Sequence, residues 1–126
     1  MLAAGEGAIV NIASIAGRFG HPRRLPYSVG KAAIGALTRT LAVEWARGGV
    51  RVNAVAPGYV ETPMVREGES LGLFSREEAE EMHAMKRLAA PEELADPIVY
   101  LLSAGAAFIT GETLYADGGF SVLKAE

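Results

Sequence analysis

The chain has 126 residues, half of them hydrophobic, with a formal net charge of −3 and no cysteine. This length accommodates one domain with a modest core, and the lack of thiols excludes disulfide scaffolding and thiolate–metal sites. The acidic balance gives no global field for nucleic acid. No stretch approaches the ~20 apolar residues that cross a bilayer. Met1–Gly5 lacks the basic start and long apolar run of a signal peptide, so a cytoplasmic protein is expected. The mean hydropathy of +0.20 is high for so small a soluble chain. It fits a piece of polypeptide whose apolar surface meets something more.

The near-continuous apolar run from Ala8 to Ala13 predicts a parallel strand covered on both faces, with Asn11 as a structural exception inside it. Ser14 closes that strand. From Gly17 to Arg24 a loop carries Arg18, His21, Arg23 and Arg24. It reads either as a solvated basic loop or as the border of a pocket for an anionic substrate. Pro26 suits the first turn of a helix, predicted to run to about Ala46 with Val29, Ala33, Ala36, Leu37 and Leu41 on its packing stripe. Trp45 reads as a packing anchor, and Gly48-Gly49 ends the helix.

A second apolar strand spans Val50 to Ala56 and stops at the turn Pro57-Gly58. From Met64 to Leu88 the chain reads as polar and irregular, apart from a capping box at Ser75-Arg76-Glu77-Glu78 that opens a short helix. His83, within this segment, carries no reading. Pro91-Glu92-Glu93 starts a helix that continues to about Ser103, with its acidic residues well placed at the N-terminus. A last short strand, Thr113 to Ala116, is closed by Asp117-Gly118-Gly119. With no repeats or linkers, residues 1–126 read as one domain.

Tyr27 and Lys31, four apart, project from one helix face, and Ser14 stands at a strand end thirteen positions upstream. A phenol ionises near pH ~10. An ammonium ~4 Å away at an effective dielectric of ~20 favours phenolate by up to ~4 kcal/mol, enough for general acid–base work. Ser14 then holds a substrate oxygen while Tyr27 gives or takes its proton. A carbinol–carbonyl interconversion fits this trio. None of these side chains accepts a hydride, so a nicotinamide is implied. Ligands of open parallel sheets bind beyond the carboxyl ends of strands, where Ser14 and Pro57-Gly58 both fall.

Three motifs then stand in order: Val10-Asn11-Ile12-Ala13-Ser14-Ile15-Ala16-Gly17, Tyr27-Ser28-Val29-Gly30-Lys31-Ala32-Ala33 and Arg51-Val52-Asn53-Ala54-Val55-Ala56-Pro57-Gly58-Tyr59-Val60-Glu61-Thr62-Pro63-Met64. With Gly111–Gly119 as a last strand, the sequence resembles the short-chain dehydrogenase/reductase family over essentially its whole length. The resemblance implies an α/β fold, the C-terminal part of a Rossmann-type doubly wound parallel sheet. Three parallel strands with crossover helices are expected, without the N-terminal dinucleotide-binding half. The family's Thr-Gly-x-x-x-Gly-x-Gly turn and Asn-Asn-Ala-Gly motif do not occur.

By the same resemblance Tyr27 is the general acid/base, Lys31 its electrostatic partner and a ribose ligand, and Ser14 the substrate-oxygen donor. Tyr27, Lys31, Pro57, Gly58, Val60 and Thr62 would form the nicotinamide end of a site for NAD or NADP, with the backbone of Val60 and the hydroxyl of Thr62 on the carboxamide. The segment after Met64 would be a substrate lid, and the helix rich in small residues (Ala32, Ala33, Gly35, Ala36, Ala42) would join a dimer or tetramer interface. Two readings follow: the catalytic half of an oxidoreductase acting on an alcohol or carbonyl, or a non-catalytic module that keeps the family's dimer surface. A nucleic-acid role for Arg18, Arg23 and Arg24 is disfavoured by the acidic chain and the absence of an aromatic platform beside them. Preference between NAD and NADP is not encoded here.

Overall fold

The computed structural model describes residues 1–123. Three parallel strands form one sheet in the order β1 (Gly7–Ile12), β2 (Val50–Pro57), β3 (Thr113–Ala116). Helix α1 (Leu25–Trp45) connects β1 to β2, and α2 (Pro63–Ser70), α3 (Arg76–Glu81) and α4 (Pro91–Leu102) lie between β2 and β3. Gly7 pairs with Val50 and Ile12 with Val55; Ala54 pairs with Thr113 and Pro57 with Ala116. The expected α/β architecture is therefore present, with β3 at the bounds read from the sequence.

Alternation along β2 divides its side chains between two layers. Val50, Val52, Ala54 and Ala56 pack with Ile34, Leu41, Ala42 and Trp45 of α1. Val55 packs on the other face with Leu94, Leu101 and Ala106. A central strand buried on both faces tolerates polar groups only where they are paired, and both polar residues of β2 are. Arg51 supplies the cation that a helix C-terminus favours: Nη1 donates to the Leu101 carbonyl at 2.7 Å and Nη2 to that of Ser103 at 3.0 Å. The Asn53 amide donates to the Ile109 carbonyl at 2.8 Å and accepts from the Glu112 N–H at 3.1 Å. These bonds fasten α4 and the approach to β3 onto β2.

Two sequence expectations change. Of the expected stripe only Leu41 packs: Val29 is 60 % and Leu37 49 % exposed, and Ala33 and Ala36 are exposed as well. The sheet is covered by the neighbouring face, with Ile34, Thr38, Leu41 and Ala42. The helix is apolar nearly all round, so periodicity could not choose the side. Hydrogen bonding made the choice, because Asn11 Nδ2 donates to Thr38 Oγ1 at 3.0 Å, and that hydroxyl donates to the Ile34 carbonyl. A polar pair inside the layer thus fixed the buried face.

The segment 64–88 is also more regular than expected. Thr62 caps α2, its Oγ1 accepting from the Val65 N–H at 3.3 Å, with Pro63 at the first helical position. The capping box at Ser75 opens α3 as read. No described helix is long and apolar enough to cross a membrane.

Among the described residues β1 pairs only with β2, so its outer edge presents unpaired backbone, and Ile12 on it is 46 % exposed. Such an edge templates association. The 126-residue chain is expected to elute from sizing chromatography as an oligomer or aggregate, and Ile12→Lys should shift it toward monomer. A sharp monomer peak from the unmodified chain would contradict this.

Candidate active site

All three strands run in one direction, so their carboxyl ends meet at one edge, together with the first turns of α1. Ser14 follows β1 in extended conformation, and its Oγ accepts from the Ala16 N–H at 3.2 Å, capping a short 3-10 turn. That bond occupies a lone pair and leaves the hydroxyl hydrogen free to donate. The turn lies hard against α1. A Cβ on Gly17 would come within 2.8 Å of the Lys31 carbonyl carbon, so only glycine permits the approach. Lys31 reaches back from the helix, its Nζ donating to the Ile12 carbonyl at 2.8 Å and lying 5.7 Å from the centre of the Tyr27 ring.

Ser14 and Tyr27 line a single cavity of about 260 Å³. Lys31 does not line it; with Ser14 it borders a second hollow beside α1. The first cavity has an apolar side, from Met64 and Val65 of α2 and the Leu71 that follows it to Phe74. Two members of the basic loop, His21 and Arg24, also line it, whereas Arg18 and Arg23 do not. Two of the loop's four named residues thus border the first cavity, and Arg18 borders the second hollow with Ser14 and Lys31. Burial first, and the Arg24 guanidinium second, hold the His21 imidazole below its ordinary value, so it is neutral at neutral pH.

The 57–62 loop carries the remaining predicted site residues along the rim. Gly58 lines the cavity, while Pro57 ends β2. Val60 forms a parallel bridge to Ala89 made by its neighbours: Ala89 N–H donates to the Tyr59 carbonyl at 3.1 Å, and Glu61 N–H to that of Ala89 at 2.9 Å. The N–H and C=O of Val60 itself take no part in that bridge, and in an extended segment they face away from it. Thr62 uses an oxygen lone pair to cap α2 and keeps its hydroxyl hydrogen.

A family model described as enoyl-(acyl carrier protein) reductase matches residues 1–121. An uncharacterized short-chain type dehydrogenase/reductase of Sinorhizobium fredii is 46% identical over 113 residues, 90% of this chain and 21% of that protein. The chain belongs to the short-chain dehydrogenase/reductase family. Cis-4-hydroxycyclohexanecarboxylate dehydrogenase of Sinomonas cyclohexanicum, another relative, is 45% identical over 98% of this chain and 48% of its own length. The solved structure of ElxO with NADP bound superposes with a TM-score of 0.89 at 37% identity, over 98% of this chain and 50% of that one. The chain thus spans half the length, or less, of the proteins it matches.

One site residue of this short-chain dehydrogenase/reductase chain was missed in the sequence. His83, just past α3, is 2 % exposed. Its Nε2 accepts from the Tyr59 N–H at 3.1 Å, and its Nδ1 lies 2.7 Å from the Ala79 carbonyl. A backbone N–H can only donate and a carbonyl only accept, so the ring is neutral with its proton on Nδ1. His83 therefore holds the 57–62 loop against the end of α3. The ring stands where a side chain on residue 58 would be, since a Cβ on Gly58 would lie 2.4 Å from Nε2. A lone histidine in a polar stretch gave no signal; the neighbouring Pro57-Gly58 did.

Gly58→Ala should cost about 1–3 kcal/mol, as overpacking does, measured by chemical denaturation. In a His83→Ala background the same change should cost much less, because the ring clash is gone and only the Asp117 Cα, at 3.2 Å, remains close. Equal costs in both backgrounds would show that the loop is not held by this ring.

Proposed function

We propose that this chain carries the reacting end of a nicotinamide-dependent oxidoreductase that interconverts an alcohol and a carbonyl compound. The observation that supports the reading is the shared cavity of Ser14 and Tyr27 at the carboxyl edge of the sheet, with Lys31 pinned one turn away. The free Ser14 hydroxyl hydrogen bonds the substrate oxygen and sets its position. Tyr27 Oη gives a proton to that oxygen in reduction, or takes it in oxidation. Lys31 stands under the Tyr27 ring, and its bond to the Ile12 carbonyl uses one of three N–H groups.

The residues present fit the nicotinamide end of NAD or NADP. Val60 has backbone groups outside its bridge, Thr62 has a free hydroxyl hydrogen, and Lys31 has spare donors. Lys31, Val60 and Thr62 would hold that end, with Tyr27, Pro57 and Gly58 beside it. When bound, the dinucleotide supplies or accepts the hydride. ElxO, which shares the fold over this span, has NADP bound. The 126 residues contain no glycine-rich turn to receive a pyrophosphate. Small-molecule substrates are in keeping with the relatives' names, among them a hydroxycyclohexanecarboxylate dehydrogenase. The reading as a non-catalytic assembly module draws on one observation, the exposed apolar face of α1. That same face suits a homo-oligomer of the enzyme.

Two measurements test the proposal. In a polypeptide that joins this chain to a dinucleotide-binding half of the family, Tyr27→Phe should lower kcat by about 10²–10⁴-fold, the range for lost acid–base catalysis. Lys31→Ala should lower it as well. Near-normal turnover in Tyr27→Phe would remove the role assigned to the phenol. The 126-residue chain alone should bind NAD or NADP with a Kd weaker than about 1 mM, because the helix N-terminus that receives the pyrophosphate is not among its elements. Saturable micromolar binding in calorimetry would show a dinucleotide site built some other way.

A further inference from the structure

The cavity shared by Ser14 and Tyr27 has a polar end that proton exchange does not use. Arg24 is the residue just before α1, three positions before Tyr27, and both line the cavity. Its guanidinium lies 5.5 Å from the centre of the Phe74 ring, a cation–π placement that holds the charge at the cavity wall. Among the described residues no carboxylate comes within 4.0 Å of it. His21 stacks on Phe120 with ring centres 5.7 Å apart, and its Nε2 is shut off from solvent without a hydrogen-bond partner. An orphaned buried nitrogen of this kind costs free energy until something bonds to it.

The backbone between them is strained to reach this arrangement. Arg23 adopts a left-handed conformation, φ 62°, uncommon away from glycine. It leaves Arg23 exposed and Arg24 half-buried at the cavity. Strain held at a cavity wall points to a use for the side chain it places. The rest of the wall is apolar apart from the reacting hydroxyls, the Tyr59 phenol and Glu67, an exposed residue of α2.

We propose that Arg24, assisted by His21, is a carboxylate subsite. The substrate is then a compact hydroxy acid or oxo acid whose apolar body fills the apolar side. Its carbinol or carbonyl carbon sits at Ser14 and Tyr27, and its carboxylate lies on Arg24. The guanidinium fork matches a carboxylate in two parallel bonds, and a neutral His21 can turn toward it as a further donor. This deepens the oxidoreductase reading above and rests on the same cavity.

The test uses this chain joined to a dinucleotide-binding half and reads binding, not turnover. Cyclohexanecarboxylate, cyclohexanecarboxamide and cyclohexylamine are titrated separately by ligand-detected NMR. The acid should bind at least tenfold more tightly than the isosteric amide, the lower end for a hydrogen bond to a charged group. Arg24→Gln should bring the acid-to-amide ratio down to about one. Arg24→Lys, which keeps the charge without the fork, should retain part of the preference and guards against a folding defect in the first variant. Equal affinity for acid and amide, or a ratio unmoved by Arg24→Gln, overturns the proposal. Preference for the amine overturns it too and assigns the polar end to Glu67. A protein that binds the acid through Arg24 yet oxidises no alcohol upholds the subsite and removes the oxidoreductase reading instead.

Discussion

The close approach between the end of β1 and the first turns of α1 is the contact on which the site depends. Two features produce it, and neither is itself a reacting group. Gly17 removes the Cβ that would strike the Lys31 backbone, and Lys31 Nζ holds the Ile12 carbonyl at 2.8 Å. Ser14 sits between them in sequence. The hydroxyl and the phenol face one cavity because strand end and helix are clamped at this point. The strand end alone would place Ser14 at the sheet edge, where ligands of parallel sheets bind. It would not place Tyr27 there. Lys31 thereby acts twice, as a fastening between layers and as a charge under the Tyr27 ring.

The sheet gives this clamp a rigid base. Asn11, Arg51 and Asn53 break the apolar runs of β1 and β2, and each is spent on holding a layer. Asn11 reaches Thr38 of α1, Arg51 the last carbonyls of α4, and Asn53 the chain before β3. Buried polar groups with partners carry directional information that apolar packing lacks. Here they fix which face of α1 meets the sheet and how α4 is seated.

Much of this was legible in the sequence, for identifiable reasons. Parallel strands are near-continuous apolar runs, so β1, β2 and β3 could be bounded to within a residue or so, although only β2 is buried on both faces and β1, expected to be covered on both, is half-buried. Tyr27, Lys31 and Ser14 were legible because spacing on a helix and position at a strand end are local properties. The packed face of α1 was not, since Val29, Ala33, Ala36 and Leu37 are as apolar as the face that is buried. Deciding between them required knowing that Asn11 lies opposite Thr38, a pairing 27 residues apart. Helix α2 carried a readable signal in Thr62-Pro63, a cap followed by proline, but its helical run is short and charged. The basic loop split into inward and outward members by the turn at Arg23, which no composition rule specifies.

His83 shows why the least legible residue sits between two parts of the site. Its ring takes its meaning from two backbone groups that no side-chain pattern announces: the Ala79 carbonyl one turn before it and the Tyr59 N–H on the rim loop, 24 residues away. With both nitrogens engaged, α3 cannot shift without releasing Tyr59. Tyr59 is in turn packed edge-to-face on Phe74, at 5.1 Å, and Phe74 carries the Arg24 guanidinium at 5.5 Å. A continuous chain of contacts therefore runs from the rim loop through Phe74 to the polar end of the cavity. Each link is an aromatic or hydrogen-bonded contact with a defined geometry, so displacement at one end has to be taken up at the next. The cavity wall and the loop proposed to meet the nicotinamide end are parts of one packed unit.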